Sequence, residues 1–352
     1  YNPAIYQDGM SVDKWQSLIS DPFKPLFDKT TGGSFAPGSV YKPVVGLAAL
    51  SEGVIHAHTK FRCHGSMELG RDVFHCYKRS GHGQVALATA LMKSCDVYFY
   101  NVGLELGADK IAKYARDLGL GRKYGIRLNR EDSGLIPDSA WIRKTLGRGW
   151  MLGEIPNLAI GQGANLLTPL QIAVLYAAIA NGGKVWRPYL VQKAVNYLGQ
   201  VILEHQPELL HQSEFIRPEH FALTRQMLQG VVMAPEGTGA RARVPGVTVA
   251  GKTGSVQVVG LNRHRNRKDK SVSMKWQEHA MFAAFSPTED AQIVVAVVSQ
   301  NDPDGGGGAS AAPVARKIIA KYWDLQKERS QSRVGQAFDI ADRGTSMKLE
   351  AL

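Results

Sequence analysis

The amino-acid sequence predicts an α+β fold, in which an antiparallel sheet flanked by helices lies beside a second, all-helical lobe. Helical patterns dominate the first half of the chain, whereas β-branched apolar segments separated by turn residues dominate the last third. With 352 residues, 44 % of them hydrophobic, the chain is long enough to bury a large core. We expect the helical lobe at about 56–190 and the sheet lobe at about 240–325.

The helical patterns are separated by loops rich in Gly, Pro and Asp. They cover residues 12–19, 44–50, 108–118 and 169–180, and a further helix is expected from about residue 85. Ser39 follows Pro37 and Gly38, so it stands at the entrance of the second of these helices.

The predicted strands begin with the β-branched residues 247–250. Two more strands are expected at 280–285 and 292–299, followed by a helix from about 311 to 323. The chain then becomes charged and rich in Ser, so we predict one domain over residues 1–325 and a weakly ordered tail over 326–352.

The net charge is positive, because 42 Lys and Arg residues face 31 Asp and Glu residues and give +11. Such a charge favours anionic surfaces or substrates. The densest basic run, residues 263–270, has no interleaved aromatic residues and matches no nucleic-acid module, so we predict a solvated loop and no nucleic-acid partner. No apolar run is long enough to cross a bilayer and no leader opens the chain, so we expect a soluble piece.

Ser39 and Lys42 form a Ser-x-x-Lys motif at the start of a helix. A serine hydroxyl is a weak nucleophile unless a base lies within hydrogen-bond reach. Residues three apart share one face of a helix, so the Lys42 amine can approach the Ser39 oxygen. The free N–H groups at a helix N-terminus could also stabilise a developing oxyanion. Alone, the motif is common by chance and far more often marks a capping serine and a solvated lysine.

Two further motifs make chance an unlikely explanation. Ser94 and Asp96 follow about fifty residues after Ser39 at the end of a helical pattern, and residues 252–255 read Lys-Thr-Gly-Ser at the end of a strand. The order and spacing are those of penicillin-binding proteins and class A β-lactamases.

The sequence resembles the class B penicillin-binding proteins, in particular their elongation branch, from residue 1 to about 323. The resemblance is carried by several motifs in the same order: Pro37-Gly38-Ser39 before Lys42-Pro43, Ser94-Cys95-Asp96 before Tyr98-Phe99-Tyr100, Gly161-Gln162-Gly163 before Thr168-Pro169-Leu170-Gln171, Gly251-Lys252-Thr253-Gly254-Ser255, and His279-Ala280. The family usually has Asn where this chain has Asp96, and Asp is the form met in the elongation branch. A strand pair that precedes the Tyr1 region in the family is expected to be missing here.

The resemblance implies a transpeptidase fold with the active site between the two lobes, and it assigns roles to the first two motifs. Ser39 would attack the carbonyl of a terminal D-alanyl-D-alanine, and Lys42 would take its proton. Ser94 would relay a proton to the departing D-alanine, while Asp96 holds the local hydrogen-bond network. Repulsion from the nearby cation Lys252 is expected to help Lys42 lose its proton.

The resemblance also assigns roles to the third motif. The backbone N–H groups of Ser39 and Ser255 would bind the oxyanion. The hydroxyls of Thr253 and Ser255, together with Lys252, would hold the substrate carboxylate. Gly254 would let the strand approach the substrate closely.

All three cysteines, Cys63, Cys76 and Cys95, fall in one short segment that also contains His82. Three thiolates and one imidazole would make a structural zinc site, and His82 is the preferred fourth ligand because glycines flank it in a loop that could fold back. One disulfide with a free thiol, or three unconnected thiols, are the alternatives. Some members of the elongation branch hold a metal beside the active site, which favours zinc by resemblance. No cofactor is expected for catalysis.

The function implied by the resemblance is peptidoglycan D,D-transpeptidation during cell elongation, with stem peptides as substrates and β-lactam antibiotics as acylating inhibitors. The resemblance further implies a position on the periplasmic face of the bacterial inner membrane, an anchor N-terminal to this chain, and a membrane glycosyltransferase as partner. The alternatives are a serine β-lactamase or carboxypeptidase, which passes the acyl group to water, and a penicillin-sensing receptor domain, which is acylated once and stops.

Overall fold

The computed structural model describes residues 9–126, 128, 130–256, 278–302 and 306–346, with side chains described up to residue 331. The helices are α1 (Val12–Ser20), α2 (Lys29–Gly32), α3 (Lys42–Ser51), α4 (Leu87–Met92), α5 (Asp96–Leu106), α6 (Ala108–Asp117), α7 (Ser139–Leu146), α8 (Ile155–Ala159), α9 (Pro169–Ala180), α10 (Pro218–Met233) and α11 (Ala312–Ser346). The strands are β1 (Phe61–Cys63), β2 (Ser66–Leu69), β3 (Asp72–His75), β4 (Gly83–Val85), β5 (Lys184–Trp186), β6 (Lys193–Val195), β7 (Val201–Glu204), β8 (Leu209–Gln212), β9 (Ala250–Val256), β10 (His279–Ser286) and β11 (Ile293–Ser299).

The largest sheet among the described residues is antiparallel and has the order β11, β10, β9. Ala280 of the central strand pairs with Ser255 on one side and with Ser299 on the other. The remaining described strands form four two-stranded sheets, which pair β1 with β4, β2 with β3, β5 with β8, and β6 with β7. Strand β9 therefore carries the Lys-Thr-Gly-Ser motif at one side of the main sheet.

Helix α3 is the centre of the main core. Its residues from Lys42 to Leu50 are all buried, because apolar side chains occur on every face, and a helix of that kind must be surrounded by protein. Pro43 is tolerated because it lies in the first turn, where its missing N–H costs no helix hydrogen bond. Helices α5, α6 and α10 pack around α3. The core thus fixes the position of the turn that carries Ser39.

A second core lies between the main sheet and helix α11. It includes Phe282 and Ala284 of β10 and Ala312, Ala315 and Ile319 of α11. The alternate residues Ala283 and Phe285 point to the main core. Strand β10 is therefore buried on both faces, which explains why its sequence is apolar without polar alternation.

The predicted elements agree closely with the structure. Helices α1, α3, α6 and α9 and strands β9, β10 and β11 overlap the segments expected from the sequence. Helices form most of the first lobe, together with short strands that the sequence did not reveal, because three or four residues are too few for a period-two pattern to be recognised. Helix α11 continues to Ser346, so it extends past residue 325, after which we predicted a weakly ordered tail. The Lys, Glu, Gln and Arg residues of this part favour helix.

The basic run at 263–270, which we predicted to be a solvated loop, lies outside the described residues. Within the part of the chain that the structure describes, no helix combines the length and the apolar character needed to span a bilayer.

Candidate active site

Ser39 lies in a single 3-10 turn, Gly38–Tyr41, that leads directly into helix α3. Gly38 has a φ of +55°, and a Cβ atom there would meet the Val256 side chain at 2.8 Å and the Ser255 carbonyl oxygen at 3.0 Å. Glycine is therefore required for the turn to reach strand β9. The Gly38 N–H donates to the Gly161 carbonyl at 2.8 Å, so the Gly-Gln-Gly segment supports the turn from a second side.

Lys42 is completely buried and its ammonium group has three hydrogen-bond partners. Its Nζ atom lies 2.7 Å from Asp96 Oδ1, 2.9 Å from the Ser94 carbonyl oxygen and 3.2 Å from Ser94 Oγ. An ammonium group has three N–H bonds, so all of its donors are used. Among the described contacts Ser39 is not a partner of this amine, and a protonated amine would have to lose a proton before it could accept one from Ser39.

The second motif forms a turn between helices α4 and α5. Ser94 has a φ of +50°, a conformation that non-glycine residues rarely adopt. Asp96 is the first residue of α5, where the helix dipole favours a carboxylate. Its Oδ2 atom accepts the backbone N–H of Tyr77 at 2.9 Å, while Oδ1 faces Lys42. Asp96 is thus held on both oxygens, as the role of organising the hydrogen-bond network requires.

Lys252 is the second completely buried lysine. Burial lowers its pKa well below the usual value, the nearby positive charge of Lys42 lowers it further, and the charge of Asp96 opposes both effects. Its Nζ atom donates to the Thr253 carbonyl at 3.2 Å, and it has no ion-pair partner among the described residues. The sequence led us to expect that Lys252 would disfavour the charged form of Lys42. The structure places the Asp96 carboxylate 2.7 Å from Lys42 Nζ, a contact that the sequence did not predict.

The rest of the third motif lies along strand β9. Thr253 Oγ1 donates to Thr238 Oγ1 at 3.0 Å, and Ser255 Oγ accepts the backbone N–H of Gly307 at 3.4 Å. A Cβ atom at Gly254 would meet Val40 Cγ1 at 3.1 Å and the Pro37 carbonyl oxygen at 3.2 Å. Gly254 therefore allows strand β9 to pack closely against the Ser39 turn.

All three predicted motifs meet in one place. The Ser39 turn contacts β9 through Gly38, Lys42 joins the turn after α4 through Ser94 and Asp96, and the charges of Lys42 and Lys252 influence each other. A half-buried hydroxyl, two buried amines and a buried carboxylate in one place are suited to move protons during attack on a carbonyl.

Sequence reasoning missed several residues that shape this site. They are Tyr77 and Thr238, which form hydrogen bonds with predicted site residues, and Gly306, where a Cβ atom would collide with Ser255 Oγ. The run of glycines before α11 was a visible signal, because consecutive glycines indicate close backbone approach. Tyr77 acts through its backbone N–H, which no side-chain pattern can reveal.

The four predicted metal ligands come together behind the second motif. The ligand atoms of Cys63, Cys76, His82 and Cys95 all lie within 4.8 Å of one another. His82 Nδ1 lies 3.7 Å from Cys63 Sγ and 3.5 Å from Cys76 Sγ. All three cysteines are buried free thiols in the structure. Cys95 immediately precedes Asp96, so the cluster adjoins the second motif.

Two of these thiols are hydrogen-bonded to each other. The bond from Cys95 lowers the pKa of Cys76 to about 5, because it stabilises the thiolate. The same bond, together with burial, raises the pKa of Cys95 above its usual range. The cluster therefore favours at least one thiolate, which is the form of cysteine that binds metals.

Comparison with known proteins gives a consistent result. Residues 1–320 match the family model of the penicillin binding protein transpeptidase domain. The chain is 33 % identical over 327 residues to peptidoglycan D,D-transpeptidase MrdA of Haemophilus influenzae, and the match covers 92 % of this chain and 49 % of that protein. The chain thus spans about half the length of the curated relatives it matches.

Solved structures show the same similarity. The crystal structure of Pseudomonas aeruginosa PBP2 in complex with WCK 5153 is 30 % identical, with a TM-score of 0.75 and coverage of 89 % of this chain and 67 % of that one. A solved structure that concerns the coordination of polymerization and crosslinking by a peptidoglycan synthase complex contains a chain that is 29 % identical, with a TM-score of 0.72. The match covers 90 % of this chain and 50 % of that one.

Proposed function

The chain belongs to the penicillin-binding protein transpeptidase domain family, and from this premise we propose that it is a peptidoglycan D,D-transpeptidase with Ser39 as its nucleophile. Its substrate would be a stem peptide that ends in D-alanyl-D-alanine. The observation that carries the proposal is the meeting of the three motifs, in which buried Lys42 bonds to Ser94 and Asp96 beside the Ser39 turn.

In the first step, the Ser39 oxygen would attack the carbonyl of the penultimate D-alanine. The C–O bond of an ester forms and the C–N bond to the last D-alanine breaks. The Ser39 proton would pass to the deprotonated amine of Lys42 and then, through Ser94 Oγ at 3.2 Å, to the departing nitrogen. In the second step an acceptor amine attacks the ester, its proton returns to Ser39 by the reverse route, and the cross-link is released.

The third motif would bind the substrate. The backbone N–H groups of Ser39 and Ser255 would stabilise the oxyanion, and the hydroxyls of Thr253 and Ser255 would bind the terminal carboxylate together with Lys252. Burial disfavours the charged form of Lys252 in the free protein. A bound carboxylate would supply the counter-charge that Lys252 lacks among the described residues, so substrate binding and protonation of Lys252 would be coupled.

We further propose that Cys63, Cys76, His82 and Cys95 hold one structural zinc ion. Tetrahedral bonds of about 2.3 Å to sulfur and about 2.0 Å to nitrogen place those two atoms roughly 3.5 Å apart. The distances from His82 Nδ1 to Cys63 Sγ and Cys76 Sγ, 3.7 Å and 3.5 Å, fit this value. Four protein ligands leave no open position, so the ion would brace the second motif and take no part in the reaction.

The cellular setting is inferred from the family. We propose that residues 1–325 form the transpeptidase domain of a longer protein on the periplasmic face of the bacterial inner membrane, anchored by a segment N-terminal to this chain. Its partner would be a membrane glycosyltransferase of the elongation machinery, and β-lactam antibiotics would acylate Ser39. The structurally similar peptidoglycan synthase complex supports a coupling of polymerisation and cross-linking.

Intact mass after exposure to a β-lactam tests the assignment of Ser39. We expect one adduct per chain, mapped to the peptide that contains Ser39, and none in Ser39→Ala, which should retain the melting temperature of the unmodified protein. An adduct on Ser39→Ala, or on a different serine, would contradict the assignment.

A further inference from the structure

Thr238 belongs to none of the sequence motifs, yet it connects two of them. Its backbone N–H and its hydroxyl both donate to the Met92 carbonyl, each at 3.3 Å. Its hydroxyl also accepts a hydrogen bond from Thr253 Oγ1 at 3.0 Å. Met92 ends helix α4 two residues before Ser94, and Thr253 belongs to strand β9. One half-buried side chain therefore joins the second motif to the third.

The turn that carries Ser94 needs support from outside. Helix α4 has six residues, too few to be stable alone, and the carbonyl groups of its last turn require partners. Ser94 itself has a φ of +50°, and such a conformation persists only where neighbouring contacts determine it. Lys42 binds Ser94 at its carbonyl and hydroxyl, and Thr238 binds the end of α4 two residues earlier.

The direction of each hydrogen bond is fixed by counting protons. A hydroxyl has one proton, and the Thr238 proton goes to the Met92 carbonyl, which can only accept. In the bond between the two threonines, Thr253 must therefore be the donor. Thr238 thus orients the Thr253 hydroxyl in the free protein, and the Thr253 proton would turn to the carboxylate when substrate binds.

The loop that carries Thr238 is held firmly against helix α10. The Gly239 N–H donates to the Val231 carbonyl at 2.9 Å, and a Cβ atom at Gly237 would collide with that same oxygen. A second link, the ion pair of Lys93 with Glu236 at 2.6 Å, runs parallel to the Thr238 contacts. Both of its side chains are substantially exposed, so water and salt weaken it.

We propose that Thr238 is a positioning residue that fixes the Ser94 turn relative to strand β9 across the floor of the active site. The proposal rests on the proposed acyl transfer at Ser39. Loss of the Thr238 hydroxyl would remove one of its two hydrogen bonds to the end of α4 and its bond with Thr253, and would let Ser94 move relative to Lys42. A displacement of about 1 Å in a catalytic group can reduce the rate by about a hundredfold.

Thr238→Val tests the proposal, because it keeps the shape of the side chain and removes the hydroxyl. Thr238→Ser restores the hydroxyl on a smaller side chain. Thr288→Val is the matched control, since Thr288 is buried and its hydroxyl has no hydrogen-bond partner among the described residues. Acylation of the full chain by a fluorescent penicillin over a range of concentrations separates the dissociation constant of the first complex from the first-order acylation constant. Melting temperatures are recorded for each variant.

We expect Thr238→Val to lower the first-order acylation constant about tenfold to a hundredfold and to change the dissociation constant less than about threefold. Thr238→Ser and Thr288→Val should both stay within about threefold of the unmodified protein. The proposal is overturned if Thr238→Val acylates normally, if Thr238→Ser is as slow as Thr238→Val, or if only the dissociation constant rises. Loss of labelling in the unmodified chain would instead refute the proposed function, so the two failures are distinguishable.

Discussion

Asp96→Asn examines the charge on Lys42, on which the proposed proton transfers depend. The substitution keeps the size of the side chain and removes its negative charge. Lys42 is completely buried, the Asp96 side chain is 12 % exposed, and the two groups are 2.7 Å apart. Removing one partner of a buried ion pair typically costs about 3–5 kcal/mol, because the remaining charge loses its compensation.

Removal of the carboxylate also changes the hydrogen bonds at this position. Asp96 accepts one hydrogen bond from Lys42 and one from the Tyr77 N–H, on different oxygens. Asparagine has a single carbonyl oxygen, so it can accept only one of the two unless a water molecule takes the place of the second oxygen. We therefore expect a loss of about 3–4 kcal/mol in the free energy of unfolding.

Urea unfolding at pH 7, followed by circular dichroism, measures this loss. Glu289→Gln is the control, because it breaks an exposed ion pair with Arg225 and should cost less than about 1 kcal/mol. If Asp96→Asn also costs less than about 1 kcal/mol, then the Lys42–Asp96 contact contributes no more than an ordinary hydrogen bond. That result would refute the argument that the two side chains form a stabilising buried ion pair.

Three further predictions concern the lysines and the cysteine cluster. Lys42→Ala should slow acylation by about 10²-fold to 10⁴-fold, measured with a fluorescent penicillin, and a loss under about tenfold would show that another group is the base. Lys252→Met should raise the urea midpoint at pH 7, because folding holds the pKa of Lys252 well below its unfolded value and so opposes protonation. This gain in stability should shrink as the pH rises toward about 10.4, the ordinary pKa of lysine. A gain that does not change with pH would contradict this origin. Elemental analysis should find close to one zinc per chain. Chelation or Cys76→Ser should lower the melting temperature before it lowers acylation. Metal-free protein with a Cys–Cys bond would instead favour the disulfide.

The features that the sequence predicted are those encoded by nearby residues. Helix α9 begins where Thr168 and Gln171 form a capping box around Pro169, a pattern that is complete within four residues. The entry of Ser39 into α3 and the β-branched start of β9 are equally local. The grouping of the cysteines was also predictable, because all three fall in one segment.

The features that the sequence did not predict depend on contacts between distant residues. The hydrogen-bond partner of Lys42 depends on where the first turn of α5 lies in space, and this turn brings Asp96 to Lys42. Burial lowers the pKa of the other amine, Lys252. The support of Asp96 by Tyr77 uses a backbone N–H, and the contact of Thr238 with Met92 spans 146 positions of the chain. Neither contact leaves a periodic or spaced pattern.

The measurement that tests the central claim most directly is turnover of a stem peptide ending in D-alanyl-D-alanine in the presence of an acceptor amine. We expect cross-linked product and free D-alanine in equal amounts, and neither with Ser39→Ala. Release of D-alanine without cross-link would show a carboxypeptidase, and an acyl-enzyme that forms once and does not turn over would show a receptor; either result would contradict the proposed transpeptidase.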